Sequence, residues 1–256
     1  MLLVIDIGNT NTVLGVYEGE TLQYNWRLET KTQQSADEYG ILARNLFTLS
    51  GLDPTKISDI VIASVVPTLN SILQKMAVKY FKIDPLFVEP GVKTGMSVLY
   101  DNPSDVGADR IVNAVAAFDK YGGPCIVVDF GTATTFDVIS KNGEYLGGII
   151  CPGPTISAEA LFLSTARLPR VEVKVPLKVI GTSTVASIQS GLYYGYVGLV
   201  DGVLEKMIED LGASEIVVVA TGGQAALIGP ATKHIQQVDS HLTLEGLRLI
   251  HKKNHL

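Results

Sequence analysis

The sequence predicts an α/β protein built of two similar halves, each a mixed sheet with helices. Three observations predict it. Strand and helix signals alternate along all 256 residues. The opening stretch, an apolar run from Leu2 to Ile5 closing on Asp6, is an inward strand that ends on a carboxylate. The same pattern, "IVVDFGTATTFDVI", returns at residues 126–139 and closes on Asp129.

The elements follow in order. Leu2–Ile7, Thr12–Tyr17 and Leu22–Leu28 read as strands, the first pair joined by the tight "GNTN" and the second turning at "EGE". "SADE" is a capping box of Ser35 with Glu38. The helix it opens keeps Leu42, Leu46 and Leu49 at helical spacing up to Gly51. "DIVIASVVP" is a buried strand stopped by Pro67, and Leu69, Ile72, Met76 and Tyr80 line the next helix. A short strand is expected near Leu86–Val88, then a linker, "EPGVKTGMSVLYDNPSD". Ser104 is expected to cap a helix that carries Asp109, Arg110 and the apolar face Ile111, Val112, Val115 and Phe118.

After "YGGP" the pattern restarts with strands at Cys125–Asp129, Thr134–Ile139 and Tyr145–Ile150, the last two joined by the hairpin "KNGE". Helices at Ile156–Leu163 and Val185–Leu211 precede the strand "EIVVVA" and Gly222–Gly223. The tail "HKKNHL" reads as a frayed end, with no function for its histidines. The division falls at residues 1–115 and 116–256.

Composition excludes several classes. A formal net charge of −6 is the wrong sign for a nucleic-acid footprint or for docking on anionic lipid. No run reaches the roughly 18 apolar residues of a membrane span, and the N-terminus lacks the basic region of a signal peptide, so a cytoplasmic protein is expected. Cys125 and Cys151 read as reduced core thiols.

The repeat carries the chemistry. Setting Asp6 on Asp129 aligns Gly8 with Gly131, Asn9 with Thr132, Asn11 with Thr134 and Thr12 with Thr135. A glycine lets main-chain N–H groups approach a ligand, and Asn9, Thr10, Asn11, Thr132 and Thr134 add amides and hydroxyls suited to phosphate oxygens. Two carboxylates facing a polyphosphate repel it by roughly 4 kcal/mol per charge pair at about 4 Å in an effective dielectric of about 20. A cation between them reverses the sign, so Asp6 and Asp129 imply bound metal as well as phosphate. The competing role is a carboxylate that only bonds loop amides. Gly91–Gly95, "GVKTG", lacks the spacing of a phosphate loop and reads as linker. Gly222–Gly223 either admits a nucleotide base or packs a strand on a helix.

These halves, each strand–strand–strand–helix–strand–helix with an Asp-x-Gly hairpin, resemble the superfamily of actin and the sugar and acetate kinases. Within it, "DIGNTNT", "GADR" at 107–110, "DFGTATT" and "GGIICPGP" at 147–154 together resemble type III pantothenate kinases over nearly the whole chain. The resemblance implies two actin-like (ribonuclease H-like) domains with a cleft between them. It implies ATP-dependent phosphorylation of the primary hydroxyl of pantothenate, with Mg2+, a potassium or ammonium ion and a homodimer.

By resemblance, Asp6, Ile7, Gly8, Asn9, Thr10, Asn11, Thr12 and Val13 hold the ATP phosphates with help from Thr132. Asp6 and Asp129 are the metal ligands, Asp129 for the monovalent ion. Tyr100, Gly107, Ala108, Asp109, Arg110 and Thr184 hold pantothenate, and Asp109 takes its hydroxyl proton. The helix dipole and Arg110 are expected to keep Asp109 ionised. Arg110 suits either the substrate carboxylate or the phosphoryl group. Tyr193, Tyr194 and Tyr196 are candidates for the dimer surface. An actin-like ATPase switch, a sugar kinase and a non-catalytic nucleotide-binding regulator are the alternative readings.

Overall fold

A computed structural model of the chain describes residues 1–213 and 215–255. They form two compact units: Met1–Met96 with Asp101–Ala116 and Thr243–Leu256, and Ser97–Tyr100 with Ala117–Leu242. The last segment therefore clusters with the first unit rather than with the second half, where the sequence division had left it.

The first unit holds β1 (Leu2–Ile7), β2 (Asn11–Glu18) and β3 (Thr21–Glu29), then α1 (Ala36–Leu49), β4 (Asp59–Ser64), α2 (Pro67–Phe81) and β5 (Leu86–Phe87). Its sheet runs β3-β2-β1-β4-β5, antiparallel on the β2 side and parallel on the β4 side. Helix α3 (Ala108–Tyr121) belongs to this unit through Ala116, and α7 (Leu242–Asn254) from Thr243 on.

The second unit holds the short edge strand β6 (Ser97–Val98), then β7 (Cys125–Phe130), β8 (Ala133–Ile139), β9 (Glu144–Pro152), α4 (Pro154–Leu163) and α5 (Thr184–Leu211). β10 (Val217–Gly222), α6 (Ala225–Ile228) and β11 (Gln237–Val238) complete it. Its sheet runs β11-β10-β7-β8-β9-β6, which is the first sheet's order with one strand added at the edge. β6 is cut from the stretch expected to be linker; a two-residue strand leaves no periodicity to read.

The repeat is real in register, with one correction. Asp6 pairs with Val13 on β2 and Ala63 on β4, and Asp129 with Thr135 on β8 and Thr221 on β10. The first turn closes by the Gly8 N–H donating to Asn11 O, the second by Gly131 N–H donating to Ala133 O. The second hairpin is one residue shorter. Thr12 therefore matches Thr134, both buried, and not Thr135.

Each core follows from the pattern. In the first unit, Leu3, Ile5, Ile7, Leu14 and Val16 pack beneath Tyr39, Phe47, Leu69, Leu73 and Met76 of the two helices. The capping box forms as written: Ser35 N–H donates to Glu38 Oε2 at 2.7 Å and Glu38 N–H to Ser35 Oγ at 3.3 Å. Gly40 lets α1 approach α2, since a Cβ there would collide with the Tyr80 ring. The opposite sheet face meets α7: the Gly15 position faces Leu244, and Gly246 lies against Val112 of α3. In the second unit, Ile126, Val128, Phe130 and Phe136 pack on Tyr196, Val200 and Leu204 of α5. Cys125, at the start of β7, is buried with its thiol pushed up to about 12 by that burial, an inert core group. Among the described residues no helix is long and apolar enough to cross a membrane.

Phe47 is fully buried between the Trp26 and Phe81 rings, with centroids 5.7 and 5.8 Å away. Phe47→Ala should therefore cost about 3–5 kcal/mol, read as a lower urea midpoint at unchanged slope. A midpoint within error of the parent's would show that this cluster does not hold the first unit.

Candidate functional site

In the first unit, β1 is buried on both faces as far as Ile5. Asp6 is half-buried and Ile7 is buried again before the chain turns outward. The turn is held rigidly. Gly8 N–H donates to Asn11 O at 2.9 Å, Thr30 N–H to Thr10 O at 2.9 Å, and Thr30 Oγ1 to Gly8 O at 2.8 Å. Because the single Thr30 hydroxyl proton is used on Gly8, Thr12 Oγ1 is the donor in the 3.0 Å contact between the two hydroxyls. Ile7 and Thr12 thus point their side chains inward, while Asn9 and Thr10 are exposed and Gly8, Asn11 and Val13 half-buried. Thr30 is a positioning residue that the sequence did not reveal; a lone threonine after a strand carries no signal of its own.

Asp109 and Arg110 are brought to the same edge of this sheet. Val65 N–H donates to Ile7 O at 3.0 Å, and a Cβ on Gly107 would stand 3.8 Å from Val65 Cγ1 and 2.6 Å from Asp109 Oδ1. The expected cap is corrected here. Ser104 lies in a single 3-10 turn, Pro103–Asp105, and its hydroxyl donates to Asn102 Oδ1 at 2.7 Å. The helix begins at Ala108, with Gly107 O accepting from Ile111 N–H at 3.3 Å. Asp109 itself accepts from Arg110 N–H at 2.8 Å. The local sequence DNPSD favours its own Asn–Ser turn over a cap four residues away.

The expected electrostatics of Asp109 are corrected as well. Burial pushes its carboxyl above the ordinary 3.8, and the Arg110 amide and guanidinium charge, which act in the opposite sense, are the smaller effects. Arg110 is itself buried.

In the second unit, Asp129 is half-buried at the position equivalent to Asp6. Gly222, with φ of +91°, lies over it: a side chain there would collide with Asp129 Oδ1 and stand 2.7 Å from Phe130 backbone atoms. The glycine pair thus serves at least one purpose, leaving the carboxylate room. Gly153 N–H donates to Thr132 O at 3.0 Å, fixing the shorter turn against the start of α4. Tyr100 is partly exposed, with its ring centroid 6.3 Å from that of Tyr145 and its edge over Gly147. Tyr145 donates to the buried Asp137 Oδ1 at 2.7 Å, and Thr135 donates to Asp137 Oδ2 at 3.0 Å. Asp137 was not singled out from sequence; inside "TTFDVI" it looks like an outward strand position. Thr134, expected to offer a hydroxyl to phosphate, is wholly buried. Thr184 is exposed as the first residue of α5, behind Ser183, whose Oγ accepts from Ala186 N–H at 3.2 Å. Of the three tyrosines proposed for a partner surface, Tyr193 and Tyr196 are buried and only Tyr194 is exposed.

The donor set at both hairpins is carboxylate, hydroxyl and main-chain oxygen, with the side-chain amides of Asn9 and Asn11 at the first alone. It fits hard cations such as magnesium and potassium and no soft metal. "GVKTG" is no phosphate loop: Lys93 N–H donates to Asn254 Oδ1 at 3.2 Å and Asn254 Nδ2 to Lys93 O at 2.9 Å, tying it to the end of α7.

Comparison with known proteins agrees with this geometry. Residues 2–206 match the family described as type III pantothenate kinase. A protein named type III pantothenate kinase from Anaeromyxobacter sp. (strain Fw109-5) is 60% identical over 254 residues, covering 99% of this chain and 100% of that one. Among solved structures, a protein described as a Baf family transcriptional activator from Campylobacter jejuni superposes with a TM-score of 0.60 at 23% identity, covering 98% of each chain. One described as an N-acetylglucosamine kinase from Porphyromonas gingivalis gives 0.55 at 13% identity, covering all of both chains. The last two speak for the shared actin-like fold alone.

Burial of Asp109 has a consequence for stability. A carboxyl whose pKa is higher folded than unfolded binds its proton more tightly in the folded state. Its penalty is absent below the ordinary 3.8, where both states are protonated, and grows as pH rises through the folded value. Asp109→Asn should therefore melt higher than the parent at neutral pH, the gain disappearing in acid below that ordinary value. A variant less stable than the parent at neutral pH would show that Asp109 is held by favourable contacts instead.

Proposed function

The chain belongs to the type III pantothenate kinase family and phosphorylates pantothenate with ATP in coenzyme A biosynthesis, and on that premise we propose how its residues divide the reaction. The Gly8–Asn11 turn, between Asp6 and Val13, holds the ATP phosphates, and Thr132 assists. Ile7 and Thr12 contribute through their main chain, since their side chains are turned inward. Gly107–Arg110, Tyr100 and Thr184 hold pantothenate. The pantothenate hydroxyl oxygen attacks the γ-phosphorus, the bond to the β–γ bridging oxygen breaks, ADP leaves, and the hydroxyl proton passes to Asp109.

The observation that supports this role is the half-buried, desolvated Asp109 carboxylate beside Gly107 and Val65, where β1 opens into its turn. An aspartate of ordinary pKa is a weak proton acceptor, and burial moves Asp109 toward the range in which a general base works. Asp6 would hold Mg2+ and Asp129 a potassium or ammonium ion, which when bound neutralise the phosphate charge. A single carboxylate among hydroxyls and main-chain oxygens suits a weakly held monovalent ion.

We further assign a homodimer and a cytoplasmic setting, where ATP is at hand. The dimer is supported by apolar residues exposed on the second unit. Helix α4 does not segregate its polar residues Thr155, Ser157 and Glu159 from its apolar ones, and Ile156, Leu161 and Leu163 are exposed, as are Ile150, Leu177, Ile180, Val185 and Tyr194. Clustered exposed apolar side chains of this size mark an interaction surface. Thr184 lies in the same stretch of chain.

Asp109→Asn should lower kcat by about 10²–10⁴-fold with little change in ATP affinity, measured in a coupled assay with pantothenate. Near-normal turnover would remove Asp109 from the chemistry. Sodium in place of potassium at fixed ionic strength should sharply lower the rate, and Asp129→Ala should lose the potassium response. A parent rate indifferent to potassium, with ammonium excluded, would refute the monovalent site.

A further inference from the structure

The end of α7 is ordered, contrary to the frayed tail expected, and it gathers groups that phosphoryl transfer does not use. His251, in the last turn of the helix, and His255, four residues on, stack with ring centroids 4.0 Å apart and planes 28° apart. His255 Nδ1 lies 3.1 Å from His251 O, so in the neutral ring it donates there and Nε2 keeps its lone pair. Both Nε2 atoms converge on one oxygen, Asp59 Oδ1 at the start of β4, at 3.6 Å from His251 and 3.5 Å from His255. His251 Nε2 is closed off from solvent and has no hydrogen-bond partner among the described residues.

These separations are too long for hydrogen bonds. They are close to the roughly 3.3 Å between ligand atoms around a tetrahedral metal with bonds of about 2.0 Å. The ligand atoms of all three side chains lie within 4.8 Å of one another. Nearby cations are engaged elsewhere: Lys252 pairs with Glu20 at 3.1 Å, and Arg248 with Glu245. The three residues border a groove of about 410 Å³ that Met1, Tyr17 and Ser58 also line.

We propose that Asp59, His251 and His255 form a binding site for a divalent transition-metal ion of the zinc class, with its fourth position open to water. Two imidazoles and one carboxylate favour zinc, cobalt or nickel over magnesium and potassium. The site is separate from the phosphate turn. Asp59 pairs with Leu2 at one end of β1, and the turn follows Ile7 at the other, about 16 Å away at 3.3 Å per residue. A bound ion would tie the end of α7 to the start of β4 and stabilise the first unit by mass action.

The test uses tag-free full-length protein, stripped by chelator and kept in excess Mg2+ so that the phosphate site is filled. Titration with Co2+ should show one equivalent bound with micromolar or tighter affinity and an absorption spectrum of tetrahedral intensity that Zn2+ bleaches. His255→Ala, at an exposed position past the helix, should weaken binding by more than about 100-fold, beyond the loss expected for a supporting residue, and should leave pantothenate phosphorylation unchanged. Asp59→Asn should weaken it in the same way. A parent with no site tighter than about 1 mM, or variants that bind Co2+ as the parent does, would overturn the assignment.

Discussion

Each unit is organised by a six-residue strand, β1 or β7, buried on both sheet faces with its carboxylate at the fifth position. Such a strand takes parallel pairing on one side and antiparallel on the other, and its register cannot slip without turning the Asp into the core. The charge can be tolerated only where the sheet opens, so the hairpin after it must be short, polar and rigid. Thr12 and Thr30 in one unit, and Gly153 and Gly222 in the other, meet that requirement by different means. One lashes the turn from the side with hydroxyls; the other clears space by omitting side chains.

Asp109 shows the same constraint working against stability. It is half-buried at a helix start where a fully exposed acid would be favourable, and the nearby amides and the adjacent guanidinium only partly offset the desolvation of its carboxyl. A fold selected for stability alone would place an amide there. The local rule is broken at the residue proposed to accept the proton, which is where such breaks are expected.

Much of the fold was legible because its signals are local. Apolar runs, the Ser35–Glu38 box, Pro67 and the two hairpins all declare themselves within a few residues, and strand ends agree to within a residue or two. Where the sequence misled, tertiary context decided. Ser104 has the right chemistry for a cap but is taken by Asn102. The two hairpins differ in length by one residue, which identical spacing of Asp and Gly conceals. Helix α7 carries Leu244, Leu247 and Ile250 at helical spacing with basic residues in its last turn, so it was readable. The polar letters HKKN masked it. Candidate site residues were legible through resemblance more than through chemistry. Thr30 acts through Gly8, 22 residues away, and Asp137 is joined to Tyr145, 8 residues on across a hairpin, which no local pattern announces.

The account depends most on where the accepting hydroxyl meets Asp109. A crystal structure with pantothenate, Mg2+, K+ and a non-hydrolysable ATP analogue would measure it directly. The predicted result is a primary hydroxyl oxygen about 2.6–3.2 Å from an Asp109 carboxylate oxygen, or one water away, with the analogue's phosphates on the Gly8–Asn11 turn. A hydroxyl pointed at a different carboxylate, with Asp109 still closed against Gly107 and the Arg110 amide, would contradict it.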